Sequence, residues 1–191
     1  MKAFLLFLTT IILFCISSNG QTKYWEDLSC SQKSDILRNC KSVRMKTFYE
    51  GNFVPTDDDK TLQLLNELVS SNDTVMPLSF YLFNKICAKS DGALSEIVGD
   101  YCAKFLADHP QYILTYFTKE RLLNINQNII ETYAMFVGIE LYMQRKGISK
   151  FKYNYQSFKE LLLSATKDNK ENEETFKFFW QLVDKTIQNA D

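Results

Sequence analysis

The sequence predicts an all-α fold: helical hairpins packed around a central helix, as a bundle or a short α-solenoid-like stack. Three observations carry that prediction. The 191 residues include only three prolines and six glycines, so turn signals are few and the elements between them must be long. Apolar residues recur at the three- and four-residue intervals of amphipathic helices. Each proline stands where a helix would begin, the place where its missing N–H costs least.

The first segment is read as a targeting signal and excluded from the fold. Lys2 is the only charge before residue 23, and it precedes the apolar runs Ala3 to Leu8 and Ile11 to Ile16. A basic start, a short apolar stretch and the small residues Ser18 and Gly20 predict a cleavable signal peptide over 1–20, with cleavage before Gln21. The apolar stretch is shorter than the roughly 20 residues a bilayer core demands, so the mature chain is not expected to be an integral membrane protein. Lipidation at Cys15 is disfavoured because Phe14, rather than a small residue, precedes it. The remaining residues, 21–191, read as a single soluble α-helical domain, secreted or periplasmic.

Near the start of that domain, Ile36, Leu37, Cys40, Val43 and Thr47 keep helical spacing, although the alternation Val43, Met45, Thr47, Tyr49 leaves room for a short strand over 43–49. Pro55 to Asp59 opens a helix with Leu62, Leu65, Leu68 and Val69 on one face. Thr56 with Asp59 approximates a capping box, and Asp57, Asp58 and Asp59 suit the positive end of the helix dipole. Calcium is not expected there, since the sixth and twelfth loop positions would fall on Leu62 and Leu68. Pro77 starts a helix through Leu78, Tyr81, Leu82 and Ile86. Ser90-Asp91-Gly92 separates it from the clearest stripe in the chain: Leu94, Ile97, Val98, Tyr101, Cys102, Phe105 and Leu106. Asp108-His109-Pro110 ends that helix and begins a short one through Phe117. The hairpins over 57–117 repeat about every 30 residues, which suggests stacking, but no known repeat signature is present. Residues 126–146 form a helix apolar around most of its circumference, which belongs at the centre of a domain, and Gly147 is placed as its stop. Helices over 157–166 and 173–188 close the chain.

Composition restricts the function classes. Loss of Lys2 with the signal leaves a net charge of −2, against −1 for the whole chain, which argues against a nucleic-acid binder. Cys30, Cys40, Cys87 and Cys102 are an even set in an exported chain and are disulfide candidates, with three pairings open. Their separations of 10, 47 and 15 lack the close Cys pairs of structural zinc sites, so no metal is expected. A helix over 31–48 would hold Cys30 and Cys40 about 15 Å apart, and an antiparallel hairpin would displace Cys87 from Cys102 by roughly 12 Å. The geometry therefore favours links between the first pair and the second. Asn72-Asp73-Thr74 is a glycosylation sequon in an inter-helix loop.

No catalytic residue can be assigned. His109, the single histidine, sits at a helix junction with no nucleophile placed beside it. Nucleophile-elbow, phosphate-loop, dinucleotide and zinc-protease motifs are missing, and no cofactor is implied. Glu96 and Asp100 lie one helical turn apart, on a face opposite the Leu94 stripe that also carries Ala103 and Ala107. That face is read as solvated or lightly packed. The candidate ligand-binding residues are Glu140 and Tyr133 on the central helix, together with Lys150, Lys152, Tyr153 and Tyr155 in the basic, aromatic stretch 145–155. Glu140 is the one acid that projects into an apolar face, between Ile129 and Tyr133 and close to Phe136 and Met143. Aromatic faces with Lys and Arg could take a glycan, a nucleic acid or an acidic lipid, whereas the plainer and favoured reading makes those rings anchors between helices. Two functions fit: a secreted or periplasmic α-helical binding or scaffolding protein whose partner is a protein or an envelope glycan, and a helical envelope hydrolase that cleaves glycans with carboxylates.

Overall fold

The computed structural model describes residues 23–125 and 127–191. The signal peptide expected over 1–20, the expected cleavage point before Gln21 and Cys15 lie outside the described residues. The fold is all-helical, with nine α-helices and no strand among the described residues. They are α1 (Cys30–Asn39), α2 (Val43–Tyr49), α3 (Asp59–Val69), α4 (Met76–Cys87), α5 (Gly92–Asp108), α6 (Pro110–Leu123), α7 (Gln127–Arg145), α8 (Tyr155–Ser164) and α9 (Lys170–Ala190).

The helix starts obey local chemistry. Ser29 and Gln32 form a reciprocal capping box on α1, and Asn154 and Ser157 do the same on α8. Pro77 and Pro110 occupy the first turns of α4 and α6. At α3 the cap is Asp58, whose side chain accepts from the Thr61 N–H at 2.8 Å, rather than the expected Thr56–Asp59 box. Thr56 instead donates its own N–H to the Thr61 hydroxyl. Residues 43–49 are helix and not strand. Ser42 caps the first turn through the Met45 N–H, and the Thr47 hydroxyl donates to the Val43 carbonyl one turn back. Helical bonds thus satisfy this backbone locally, and its sequence alternation is incidental: Val43 is 76% exposed, whereas Met45 is 2%.

The central helix is α7. Its most extensive contacts are with α9, and the next most extensive are with α5. Two glycines set these approaches. A Cβ on Gly138 would fall 2.7 Å from Thr186 Cβ and 3.1 Å from the Val183 carbonyl, so the α7–α9 crossing depends on that hydrogen. Gly99 on α5 faces α7 more loosely, and a Cβ there would stand 3.8 Å from the Phe136 carbonyl. Ile130, Tyr133, Ala134 and Val137 are fully buried on α7, in a hydrophobic cluster that runs from Tyr24 to Val183. Burial does not extend all round the helix, however, because Met135 and Ile139 are 42% and 43% exposed.

The structure holds Cys30, Cys40, Cys87 and Cys102 as free thiols, with only Cys30 exposed. The expected separation of Cys87 from Cys102 is wrong: both are buried, and the pKa of the Cys102 thiol is raised first by that burial and then by Cys87 as its close neighbour. The expectation assumed an antiparallel pair. Instead α5 lies mainly along α7 and α3 and touches α4 over few residues, so the last turn of α4 meets the middle of α5.

Candidate functional site

Two helices and one reversal of the chain build a groove of about 800 Å³. On α5, Glu96, Gly99 and Asp100 are three and four residues apart and therefore share a face. On α7, Met135, Ile139 and Met143 form one row at four-residue spacing, and Phe136 with Glu140 forms the next. Gly147, at φ +72°, reverses the chain after α7, a conformation that side chains with a Cβ rarely adopt. Ile148 and Ser149 then fold back, and both donate their N–H groups to the Met143 carbonyl, at 2.9 and 3.3 Å. Ile148, Ser149 and Lys150 complete the lining.

Glu140 stands at the base of this groove. The residue is 7% exposed, and the Ser149 hydroxyl donates to its Oε1. Ser149 in turn accepts the Phe151 N–H at 2.9 Å, so the returning chain and the carboxyl group fix each other. Oε2 lies 4.0 Å from where a Gly99 Cβ would be, on the α5 side. Burial raises the carboxyl above the usual glutamate range; the Ser149 hydrogen bond opposes this, and the Asp100 charge adds to it. Glu96, Asp100 and Lys150 are exposed, and none of them joins an ion pair among the described residues. The wall opposite α5 is apolar and open to solvent, with Ile148 65% exposed beside Met135 and Ile139.

Of the candidate residues, the structure brings Glu140 and Lys150 together and separates the others. Tyr133 is fully buried two turns up α7, and its hydroxyl donates to Asn84 Oδ1 at 2.8 Å. Tyr155 donates to Asp184 at 2.7 Å and accepts from the Trp180 indole at 2.8 Å, which ties α8 to α9. It lines a different groove, of about 680 Å³, with Arg145, Asn154 and Asp184. Tyr153 packs edge-on against Phe151 and tilted against Phe158, with the Lys152 ammonium 4.9 Å above its ring. The stretch 145–155 is therefore not one patch, and its rings mainly anchor helices.

The face of Glu96 and Asp100 is not lightly packed at its far end, since Ala103 and Ala107 are buried. Sequence patterns did not single out Ser149, Ile148, Met135 or Ile139, although Gly147 signalled the reversal that carries Ile148 and Ser149 back. Glu120 is a second buried acid, raised chiefly by burial, and it lies outside the groove. His109 packs edge-on against Phe105 with ring centroids 5.4 Å apart, and its lowered pKa is chiefly an effect of burial.

Among the described residues, no group of three His, Cys, Asp or Glu is arranged to hold a metal ion, and no helix is long and apolar enough to cross a membrane. Comparison with protein-family models, with curated proteins and with solved structures finds no match to the chain.

Proposed function

We propose that this is a secreted or periplasmic binding protein whose partner, a protein or an envelope glycan, docks in the α5–α7 groove. The observation that carries this reading is the open apolar row of the central helix, with Met135 and Ile139 about two-fifths exposed beside carboxylates that join no ion pair among the described residues. Apolar surface on a core helix is normally covered, and where it is left open beside polar groups it marks a binding surface. The acidic lining repels phosphate and fits the near-neutral charge in excluding nucleic acid. Export also bears on the cysteines: in an oxidising compartment, Cys87 and Cys102 are the pair a disulfide would join.

A glycan-cleaving hydrolase is the second reading, and a specific feature favours it. Glu140 is shifted toward its protonated form near the Asp100 charge, and glycoside cleavage uses a protonated acid beside an ionised carboxylate. Against it, the only aromatic ring lining the groove among the described residues, Phe136, is 2% exposed, so none of them presents a ring for a sugar to stack on.

Glu140→Gln, with fold and activity measured together, separates the readings. Retained binding with no turnover by either protein supports the binder. Glycan turnover by the wild type that the variant loses at intact stability replaces it with the hydrolase.

A further inference from the structure

The two walls of the groove ask for opposite chemistry from one occupant. On α7 and the returning chain, Met135, Ile139 and Ile148 offer exposed apolar surface, and methionine adapts to irregular partners. On α5, Glu96 and Asp100 stand one turn apart with no cation paired to them among the described residues. Their spacing, about 5–6 Å between Cβ atoms, matches that of side chains one turn apart on a partner helix. We infer that the groove binds a basic amphipathic polypeptide segment, laying its Leu or Ile side chains on α7 and its Lys or Arg side chains along Glu96 and Asp100. This rests on the groove being the binding site. Other occupants fit less well: a glycan meets no exposed ring, an acidic segment meets like charge, and a bare metal ion finds no arranged ligands. Lys150, at the rim, has the same sign as the proposed segment and weakens its binding.

The test is NMR of the purified protein with labelled Met and Ile methyls. It is titrated with a short amphipathic peptide of leucine and lysine, with the same peptide carrying glutamate for lysine, and with a neutral chito-oligosaccharide. The lysine peptide should shift Met135, Ile139 and Ile148 saturably, more weakly as salt rises, and the glutamate peptide should not. Glu96→Gln and Asp100→Asn should each weaken the lysine peptide by roughly three- to tenfold at unchanged melting temperature, and Lys150→Glu should strengthen it by a similar factor. Equal binding of the two peptides, or binding indifferent to both carboxylate variants, overturns the inference. If the oligosaccharide moves these methyls and the lysine peptide does not, the inference falls while the groove reading stands. The same holds if the protein self-associates through the groove to the exclusion of the peptide. If no probe moves the methyls and the protein stays monomeric, both fall.

Discussion

Replacing Gly138 with alanine should loosen the bundle at its tightest crossing. The added Cβ would meet Thr186 Cβ at 2.7 Å, Thr186 Cγ2 at 2.8 Å and the Val183 carbonyl at 3.1 Å. Two of these atoms are fixed to the α9 backbone and cannot rotate away. Restoring ordinary carbon contact near 3.5 Å requires α7 and α9 to part locally by about 0.8 Å. Overpacking of this kind costs about 1–3 kcal/mol, partly offset by about 1 kcal/mol of helix propensity that alanine gains over glycine. The net loss of up to about 2 kcal/mol corresponds to a fall in melting temperature of up to about 8 °C for a chain of this size. Gly99→Ala is the internal control: its nearest contacts, at 3.8 and 4.0 Å, leave room, so the propensity gain should make it neutral or slightly stabilising. Thermal and urea unfolding followed by circular dichroism reads both. A Gly138→Ala protein that melts above the wild type or no lower than the Gly99→Ala protein, or a Gly99→Ala protein that melts below the wild type, would refute the assignment of Gly138 as the tight contact.

Because the folded pKa of Glu140 is raised, the unfolded chain ionises there first as pH increases, so this group's contribution to stability is whole in acid and is lost through the window from the ordinary glutamate range up to the raised value. Glu140→Gln removes that titration, and denaturant midpoints should show the variant gaining on the wild type as pH rises through the window; a constant difference would contradict it. In exported protein, peptide mapping without reductant should find Cys87 joined to Cys102, with Cys30 the most readily alkylated thiol, whereas Cys30 joined to Cys40 would require α1 to break. N-terminal analysis of that protein should begin at or near Gln21, and an intact Met1 or a lipid on Cys15 in the membrane fraction would end the export reading.

Much of the architecture was legible because the signals were local. The placing of α7, the prolines at α4 and α6 and the stop at Gly147 all depend on residues within a turn of the feature. The strand over 43–49 failed for a related reason: alternation implies burial on one face, but Ser42 and helical hydrogen bonds satisfied the backbone first. Cys87 and Cys102 meet because α5 aligns with α7 and α3, a preference no residue near the turn encodes. The groove was half legible. Glu140 announced itself as a charge in an apolar face, and Gly147 announced a reversal, but which segment returned over α7 depended on Ser149 reaching Glu140. Tyr133 shared the face of Glu140 yet lies two turns away beneath α4, where periodicity cannot distinguish groove from core.

Site-specific photo-crosslinking in cells that export the protein tests the central claim most directly. The crosslinker replaces Ile139 or Ile148, inside the groove and 43% and 65% exposed, or Leu163, outside it and 45% exposed. A groove that binds the partner gives a discrete adduct from positions 139 and 148, suppressed by excess leucine–lysine peptide, and none from position 163. An adduct of equal yield from all three, or one from position 163 alone, would contradict the assignment of the α5–α7 groove as the binding site.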